Sequence, residues 1–470
     1  MRAYLRTAIA ALLFGVLSYT SISLPAVAEQ TPATEFISFA EAKLVLDKMV
    51  ADLPAPLKDA HPLDANAWSA WVKNEDAEIR KRLERGEEDT LTNLLRFGVT
   101  YTKEYRIDRE YLSSYGQSTL VDSFAQHRAD DLIRALRSPS ANPGMQEMRS
   151  FLKRKGFTLD TPADRVRAKK YLLANLARMR DEFNAYREKI KTAGPSEMSE
   201  LYSDRGISLD TNLWPDFDLD QQLQRSIAAG VLQAGGIRRV AVVGPGLDFA
   251  NKEVGNDYYP PQTTQPFAIL DSLLRLRIAD PSSLELVTLD ISPLVNIHVQ
   301  RIRAAALAGQ PYTVQLPWNT TVPRAQDYLA GFNTYWQAWG GQIGAAVAPI
   351  PPPEATAGEL KVRAVKIRSD IVSRVSPIDM NIVFQRASGP SDKRFDLIIA
   401  TNIFIYYDAF EQSLARANLA SMLKPGGLVL TNEMLADAVP SKLPELSRTN
   451  ITLSTDPLIT QTIYCYRREP

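Results

Sequence analysis

Apolar side chains between Ala163 and Ile190 fall at Leu172, Leu176, Met179, Phe183, Tyr186 and Ile190, steps of four and three that put them on one helical face. Arg178, Arg180, Asp181, Glu182, Arg187 and Glu188 fill the remainder, so the pattern predicts a long amphipathic helix packed on its neighbours. Shorter helices are predicted over Phe39–Met49, Ala77–Arg85, Thr90–Phe97 and Gln126–Leu136. Loops such as SPSANPG (Ser138–Gly144) separate them, and no fixed repeat period stands out. Near Lys191 the texture changes. A mixed polar and aromatic connection (Leu201–Leu223) leads to a helix predicted over Gln221–Leu232, and then Arg239–Gly244 forms a continuous β-branched run ended by glycine. Leu284–Leu289, Phe395–Ala400 and Gly427–Thr431 read as further strands. Helical stretches at Phe267–Arg277, Leu294–Leu307 and Phe410–Leu423 lie between them. This alternation predicts an α/β fold, a Rossmann-like doubly wound sheet over 196–470, preceded by an all-α domain over 29–195. The tail (ITLST, then QTIYCYR) suits a closing hairpin with an antiparallel edge strand. The Pro/Gly/Ala-rich stretch Trp318–Gly358 reads as an insertion outside the core, with one short helix around Tyr328–Trp339.

Length and composition narrow this picture only slightly. A chain of 470 residues exceeds what one core usually holds, so two domains are expected. Fifty-four basic residues balance fifty-four acidic ones, which gives no reason to expect nucleic acid as a partner. The first residues follow a different logic. Arg2 and Arg6 precede the short apolar run Thr7–Ser18, and Pro25-Ala26-Val27-Ala28 offers small residues before a cleavage point. Residues 1–28 are therefore expected to be a signal peptide, with an uncleaved anchor as the alternative, and the protein is expected to be exported. No later segment is apolar enough for a transmembrane helix. Cys465 is the only cysteine, which excludes an intramolecular disulfide, and it reads as a small buried hydrophobe. His61, His127 and His298 show no metal-ligand or triad spacing.

The candidate chemistry sits at strand ends. Gly244-Pro245-Gly246 is a tight turn after the first strand, and by itself such a turn is either structural or a ligand cradle. Asp290 ends the second strand, where a carboxylate can accept from both hydroxyls of a ribose or cap the following helix. Asn402 follows the third strand, and Lys424-Pro425-Gly426-Gly427 precedes the fourth. A dinucleotide fingerprint would need a third glycine, and an acidic residue about twenty positions on. The chain has neither.

The succession VAVVGPG, LVTLD, FDLIIATNIFIYYD and MLKPGGLVLTNE resembles the motifs of class I S-adenosylmethionine-dependent methyltransferases. The stretch from Phe395 to Leu428 is similar to chemotaxis-receptor glutamate methyltransferases. The resemblance spans about 237–433 and implies S-adenosylmethionine as cofactor. It sets Gly244 and Gly246 against the amino-acid and ribose parts, Asp290 on the ribose hydroxyls, and Ile291 beside the adenine. Asp379 and Met380 would face the adenine ring and its amino group, and Asn402 would line the floor near the methyl group. Two departures matter. Val242 stands where an acidic residue often meets the methionine ammonium, and the insert Leu247–Gln265 delays the first helix. Within that insert Asp248 and Asp257 are candidate replacements for the acidic partner, and Tyr258 and Tyr259 are candidates for stacking on the sulfonium; a surface loop is the alternative reading. Arg205 is a candidate partner of the cofactor carboxylate, against a purely structural arginine. Asp408 and Glu411 read as a helix cap rather than as catalysts. Tyr406 and Tyr407 are the candidate catalytic side chains, by analogy alone.

The resemblance implies a methyltransferase acting by in-line transfer, without metal or covalent intermediate, on a small-molecule or protein side-chain acceptor. Export conflicts with a cofactor made in the cytoplasm. Two other readings therefore stay open: the same fold binding another nucleoside-like ligand, or a non-catalytic interaction protein whose working part is the helical domain.

Overall fold

The computed structural model describes residues 34–60, 63–138, 143–189, 191, 205–209, 213–248, 257–319, 330–354, 360–452 and 460–470. The expected signal peptide and Ile190 lie outside the described residues. A short strand β1 (Thr34–Phe36) is followed by α1 (Phe39–Lys48), α2 (Ala55–Asp59), α3 (Ala65–Phe97), α4 (Arg109–Ser114), α5 (Thr119–Arg137), α6 (Pro143–Arg154) and α7 (Pro162–Lys189). The second half opens with α8 (Trp214–Ala228) and continues with β2 (Arg239–Val243), α9 (Gln265–Arg275), β3 (Glu285–Asp290), α10 (Pro293–Leu307) and β4 (Tyr312–Asn319). After these come α11 (Ala330–Ala338), β5 (Gly344–Val347), β6 (Leu360–Ile367), α12 (Ser369–Val372), β7 (Val375–Asp379) and β8 (Gln385–Ala387). The chain ends with β9 (Phe395–Ala400), α13 (Ala409–Met422), β10 (Leu423–Thr431), β11 (Glu445–Thr452) and β12 (Thr460–Arg467).

Seven strands form one mixed sheet in the order β11-β12-β10-β9-β2-β3-β7. The five from β10 to β7 are mutually parallel, and the β11–β12 hairpin closes one edge antiparallel to β10. Alternation along each central strand distributes side chains between the two faces. Ala241, Val243, Ile398, Ala400 and Val429 enter one core, with residues of α1, α3 and α13. Val240, Val242, Leu397, Ile399, Leu428 and Leu430 enter the opposite core, with residues of α8, α9 and α10. The sheet is thus doubly wound, with near-continuous apolar strands because both faces are covered.

The long helix α3 joins this sheet to the helical region. Trp68, Trp71, Val72, Ile79 and Leu83 from its first part belong to the sheet's core. Leu91, Leu94 and Leu95 from its last turns belong to a separate core with α5, α6 and α7. Residues 32–470 form one compact unit.

Three expectations need correction. Ala77–Arg85 and Thr90–Phe97 are parts of one helix, not two. The described part of Trp318–Gly358 is not outside the core: β5 pairs with β6 in the antiparallel sheet β4-β6-β5, and Phe332, Trp339 and Ile343 are buried in the second core. The helix before β2 starts at Trp214, ahead of the predicted Gln221, because its first turn is also buried.

Candidate functional site

Strand order reverses between β2 and β9: the chain builds outward through β3 and β7 on one side, then returns to β9 and β10 on the other. In open α/β sheets the crevice beyond the strand carboxyl ends at such a point is the ordinary ligand site. A cavity of about 270 Å³ lies there, near the lower end of small-molecule pockets at about 300 Å³. Gly244, Gly246, Asp290, Ile291, Met380 and Asn402 line it, together with Tyr406 and Tyr407.

The turn after β2 needs its glycines. Gly244 has φ +60° and Gly246 φ +70°, a region where a side chain is strained. A Cβ on Gly244 would also stand 2.2 Å from Ile403 Cδ1. Asp290 is buried, and the Ser292 N–H donates to its Oδ1 at 2.7 Å. Burial pushes its carboxyl up to about 7; the neighbouring Asp379 charge adds to the rise, while hydrogen bonds from the Ser292 and Gly246 amides oppose it. The cap of α10 is Ser292, whose side chain accepts from Val295 N–H, so Asp290 is not the cap itself.

Asn402 also has positive φ, +59°, which asparagine tolerates better than most residues. Its amide N–H donates to Asn432 Oδ1 at 2.8 Å, and Asn432 Nδ2 donates back to Asn402 Oδ1 at 2.8 Å. The next two amides, of Ile403 and Phe404, donate to Glu433 Oε2 at 3.2 and 3.1 Å. Burial pushes the Glu433 carboxyl up to about 7. Glu433 therefore fixes the loop carrying Asn402.

Helix α3 supplies part of the wall, and this was not legible in the sequence. Leu83 lines the cavity. Arg80 forms an ion pair with Asp379 at 2.7 Å and donates to the Ile291 carbonyl at 3.3 Å. Asp379 sits beside Asp290 on the neighbouring strand but is not part of the cavity lining, and it already holds a guanidinium. Arg82 donates to the carbonyl oxygens of Tyr406 and Arg205, at 3.0 and 3.1 Å. Tyr406 and Tyr407 both reach the cavity. Burial raises the Tyr407 phenol far above its usual range.

Four expected residues are placed elsewhere. Asp248 accepts from Tyr259 Oη at 2.7 Å and from Gln262 Nε2 at 3.2 Å, closing the base of the insert upon itself. Tyr259 is 2% exposed and so presents no open face to a ligand. Asp257 accepts from the Val99 and Thr100 amides at 2.9 and 3.2 Å and from the Thr100 hydroxyl at 2.6 Å, binding the insert to the end of α3. Arg205 lies over the Tyr186 ring, 5.2 Å from its centroid. Each is consumed by local packing, and none lines the cavity. Asp408 and Glu411 form a reciprocal capping box on α13, as expected.

Sequence reading missed two further groups. Gln265, the first residue of α9, lines the cavity and donates to Thr401 Oγ1 at 2.9 Å. Asp216 and Asp218, near the start of α8, are 1% and 0% exposed. Burial pushes their carboxyls up to about 7 and about 8 respectively. The alternating Asp residues of WPDFDLDQQL were a visible signal, because so polar a helix start seldom goes inside.

The sequence matches no protein-family model and no curated protein. Among solved structures, 55% of the chain aligns with the whole of N-methyltransferase NodS from Bradyrhizobium japonicum WM9, at 14% identity and TM-score 0.26. Another 55% alignment covers the whole of a TehB-like SAM-dependent methyltransferase from Corynebacterium glutamicum, at 9% identity and TM-score 0.24. The glycopeptide N-methyltransferase MtfA complexed with (S)-adenosyl-L-methionine aligns over 53% of this chain and 66% of its own, at 13% identity and TM-score 0.21.

Proposed function

We propose that the cavity at the strand-order reversal binds S-adenosylmethionine and that the protein is a methyltransferase. One observation supports this most: the glycine turn after β2, Asp290 at the end of β3 and Asn402 after β9 converge on one cavity at the sheet's switch point. Gly244 and Gly246 let the backbone approach a ligand closely. Asp290, with one oxygen held by Ser292, is oriented as a partner for ribose hydroxyls.

Arg80 alters the expected adenine end. With Asp379 engaged by its guanidinium, the base edge is left to Met380 and Ile291, both buried and apolar. In-line transfer needs donor and acceptor held in register and water excluded. The apolar wall from Leu83, Leu289, Ile291 and Met380 suits that requirement. Export remains part of the reading, on the strength of residues 1–28 alone, and an exported enzyme would need its cofactor supplied outside the cytoplasm.

The test is calorimetric titration of the protein with S-adenosylmethionine and S-adenosylhomocysteine. Micromolar binding is expected, with a loss of about tenfold or more in Asp290→Ala, because a hydrogen bond to a charged acceptor contributes about 1.5–3 kcal/mol. A folded protein that binds neither compound would overturn the reading.

A further inference from the structure

Asp216 and Asp218 are buried carboxylates short of partners: the Gln265 side-chain amide is the one donor set against Asp216 among the described residues, and none is set against Asp218. All four of their carboxylate oxygens are inaccessible and lack a hydrogen-bond partner, as do Gln222 Oε1 and the Tyr335 hydroxyl. Gln222 and Tyr335 are 2% and 7% exposed, and the field of Asp216 acts on the Tyr335 phenol. The Asp216 charge also acts on Asp218. Asp220, the next acidic residue on the helix, is satisfied by Arg275 and by Gln224 Nε2 at 2.8 Å. Two buried carboxylates and an amide oxygen with no donor are costly to maintain unless something completes them.

The pair stands behind the cavity wall. Pro215, adjacent in sequence, lines the cavity, as does Gln265, whose amide lies beside Asp216. A ligand group that displaces this amide from Thr401 would meet Asp216 directly. The described residues contain no set of three His, Cys, Asp or Glu fit for a metal. An ammonium group has one positive charge and three donors in a small volume, which suits a buried carboxylate with a second negative charge within electrostatic reach.

We propose that Asp216 and Asp218 receive a cationic ammonium group at the inner end of the cavity. This rests on the methyltransferase reading for the source of the group, which is either the amino-acid end of the cofactor or an amine acceptor. The two carboxylates expected from sequence to meet such a charge, Asp248 and Asp257, are occupied elsewhere. Asp216 takes that task from a different element.

The experiment uses the full chain and the variants Asp216→Asn and Asp218→Asn. Heat stability is read in ethylammonium chloride against equal sodium chloride, with and without S-adenosylhomocysteine. Calorimetry then compares S-adenosylhomocysteine with 5′-methylthioadenosine, which lacks the amino-acid part. Ethylammonium should stabilise the wild type beyond sodium, and both variants should lose that gain while being at least as heat-stable as the wild type without ligand. If the cofactor carries the group, Asp216→Asn should weaken S-adenosylhomocysteine about thirtyfold or more, leave 5′-methylthioadenosine unchanged, and S-adenosylhomocysteine should exclude ethylammonium. If an acceptor carries it, S-adenosylhomocysteine affinity should be unchanged and ethylammonium should stabilise the complex. Equal effects of ethylammonium and sodium on the wild type, with unchanged S-adenosylhomocysteine affinity in both variants, would overturn the proposal. Both Asn variants being markedly less stable than the wild type would do so too, since that marks structural carboxylates. Failure of the wild type to bind S-adenosylhomocysteine would sink the methyltransferase reading alone, since the ethylammonium measurement still reports on the carboxylates. If Asp216→Asn does not fold, Asp218→Asn carries the same comparison.

Discussion

At the scale of single residues, two glycines let one stretch of chain cross a helix at contact distance. A Cβ on Gly86, in the middle of α3, would stand 1.9 Å from the Ile207 carbonyl oxygen. A Cβ on Gly206 would meet the Gly86 amide nitrogen at 2.5 Å. The Ile207 N–H donates to the Arg82 carbonyl at 3.2 Å, which fixes the crossing. Ser208 and Leu209, just beyond it, line the cavity. Gly86→Ala should therefore destabilise despite its better helix propensity. Alanine gains about 0.5–1 kcal/mol in an ordinary helix, but the clash is with backbone that cannot turn aside. We expect a net loss of about 1–3 kcal/mol, read as a lower urea midpoint, and weaker ligand binding through the displaced Ser208–Leu209 segment. Gly244, Asp290 and Asn402 were legible because strand ends announce themselves: each closes an apolar run, and the sheet's topology gathers such ends. Asp248, Asp257 and Arg205 lie away from the cavity lining, because nothing in spacing reveals which neighbour consumes a polar group. Thr100 claims Asp257 from 157 positions away.

At the scale of elements, α3 carries the main lesson. Read locally, it divides between Arg85 and Thr90 into two helices. In the fold Gly86 serves the crossing, and the helix runs on for 33 residues. Its start is held by Asp64, whose carboxylate accepts from the Asn66 and Ala67 amides at 2.9 and 2.8 Å. Asp64→Ala should cost about 1 kcal/mol, seen as a lowered denaturation midpoint at unchanged slope. Strand β7 was hidden for a different reason. Pro377 in VSPID argues against a central strand, and it is tolerated because β7 is the sheet's edge. The β4–β6–β5 sheet escaped because its proline- and glycine-rich surroundings mask a short buried run around Trp339 and Ile343. The four strands predicted with continuous apolar runs and the closing hairpin were all found, since burial on both faces leaves a signal that needs no partner to be read.

At the scale of the whole molecule, the helical region and the sheet share α3, so separation at residue 195 should fail. Residues 196–470 expressed alone would expose the sheet face built from Ala241, Val243, Ile398 and Ala400, which Trp68, Trp71 and Ile79 cover. Such a fragment is expected to bind a hydrophobic dye and to lose its near-UV circular dichroism. The buried acids give the stability a defined pH dependence. Asp216, Asp290 and Glu433 titrate at about 7 in the fold, and Asp218 and Glu411 at about 8, against about 4 in the unfolded chain. The folded state holds their protons more tightly, so their contribution is complete below about pH 4 and is lost as pH rises through 7 to 8. The thermal midpoint should fall between pH 5 and about 8.5, and Asp218→Asn should flatten that slope. Strand β1 adds a consequence in time. It pairs with β8 in register Thr34 to Ala387, and Arg386 reaches back to Glu35 across 351 positions. At synthesis rates of about 5–20 residues per second, the ribosome needs roughly 18–70 s to make the partner that β1 awaits. Local helices form in microseconds, so β1 is paired late, and a nascent-chain protease should find it open until synthesis passes Ala387.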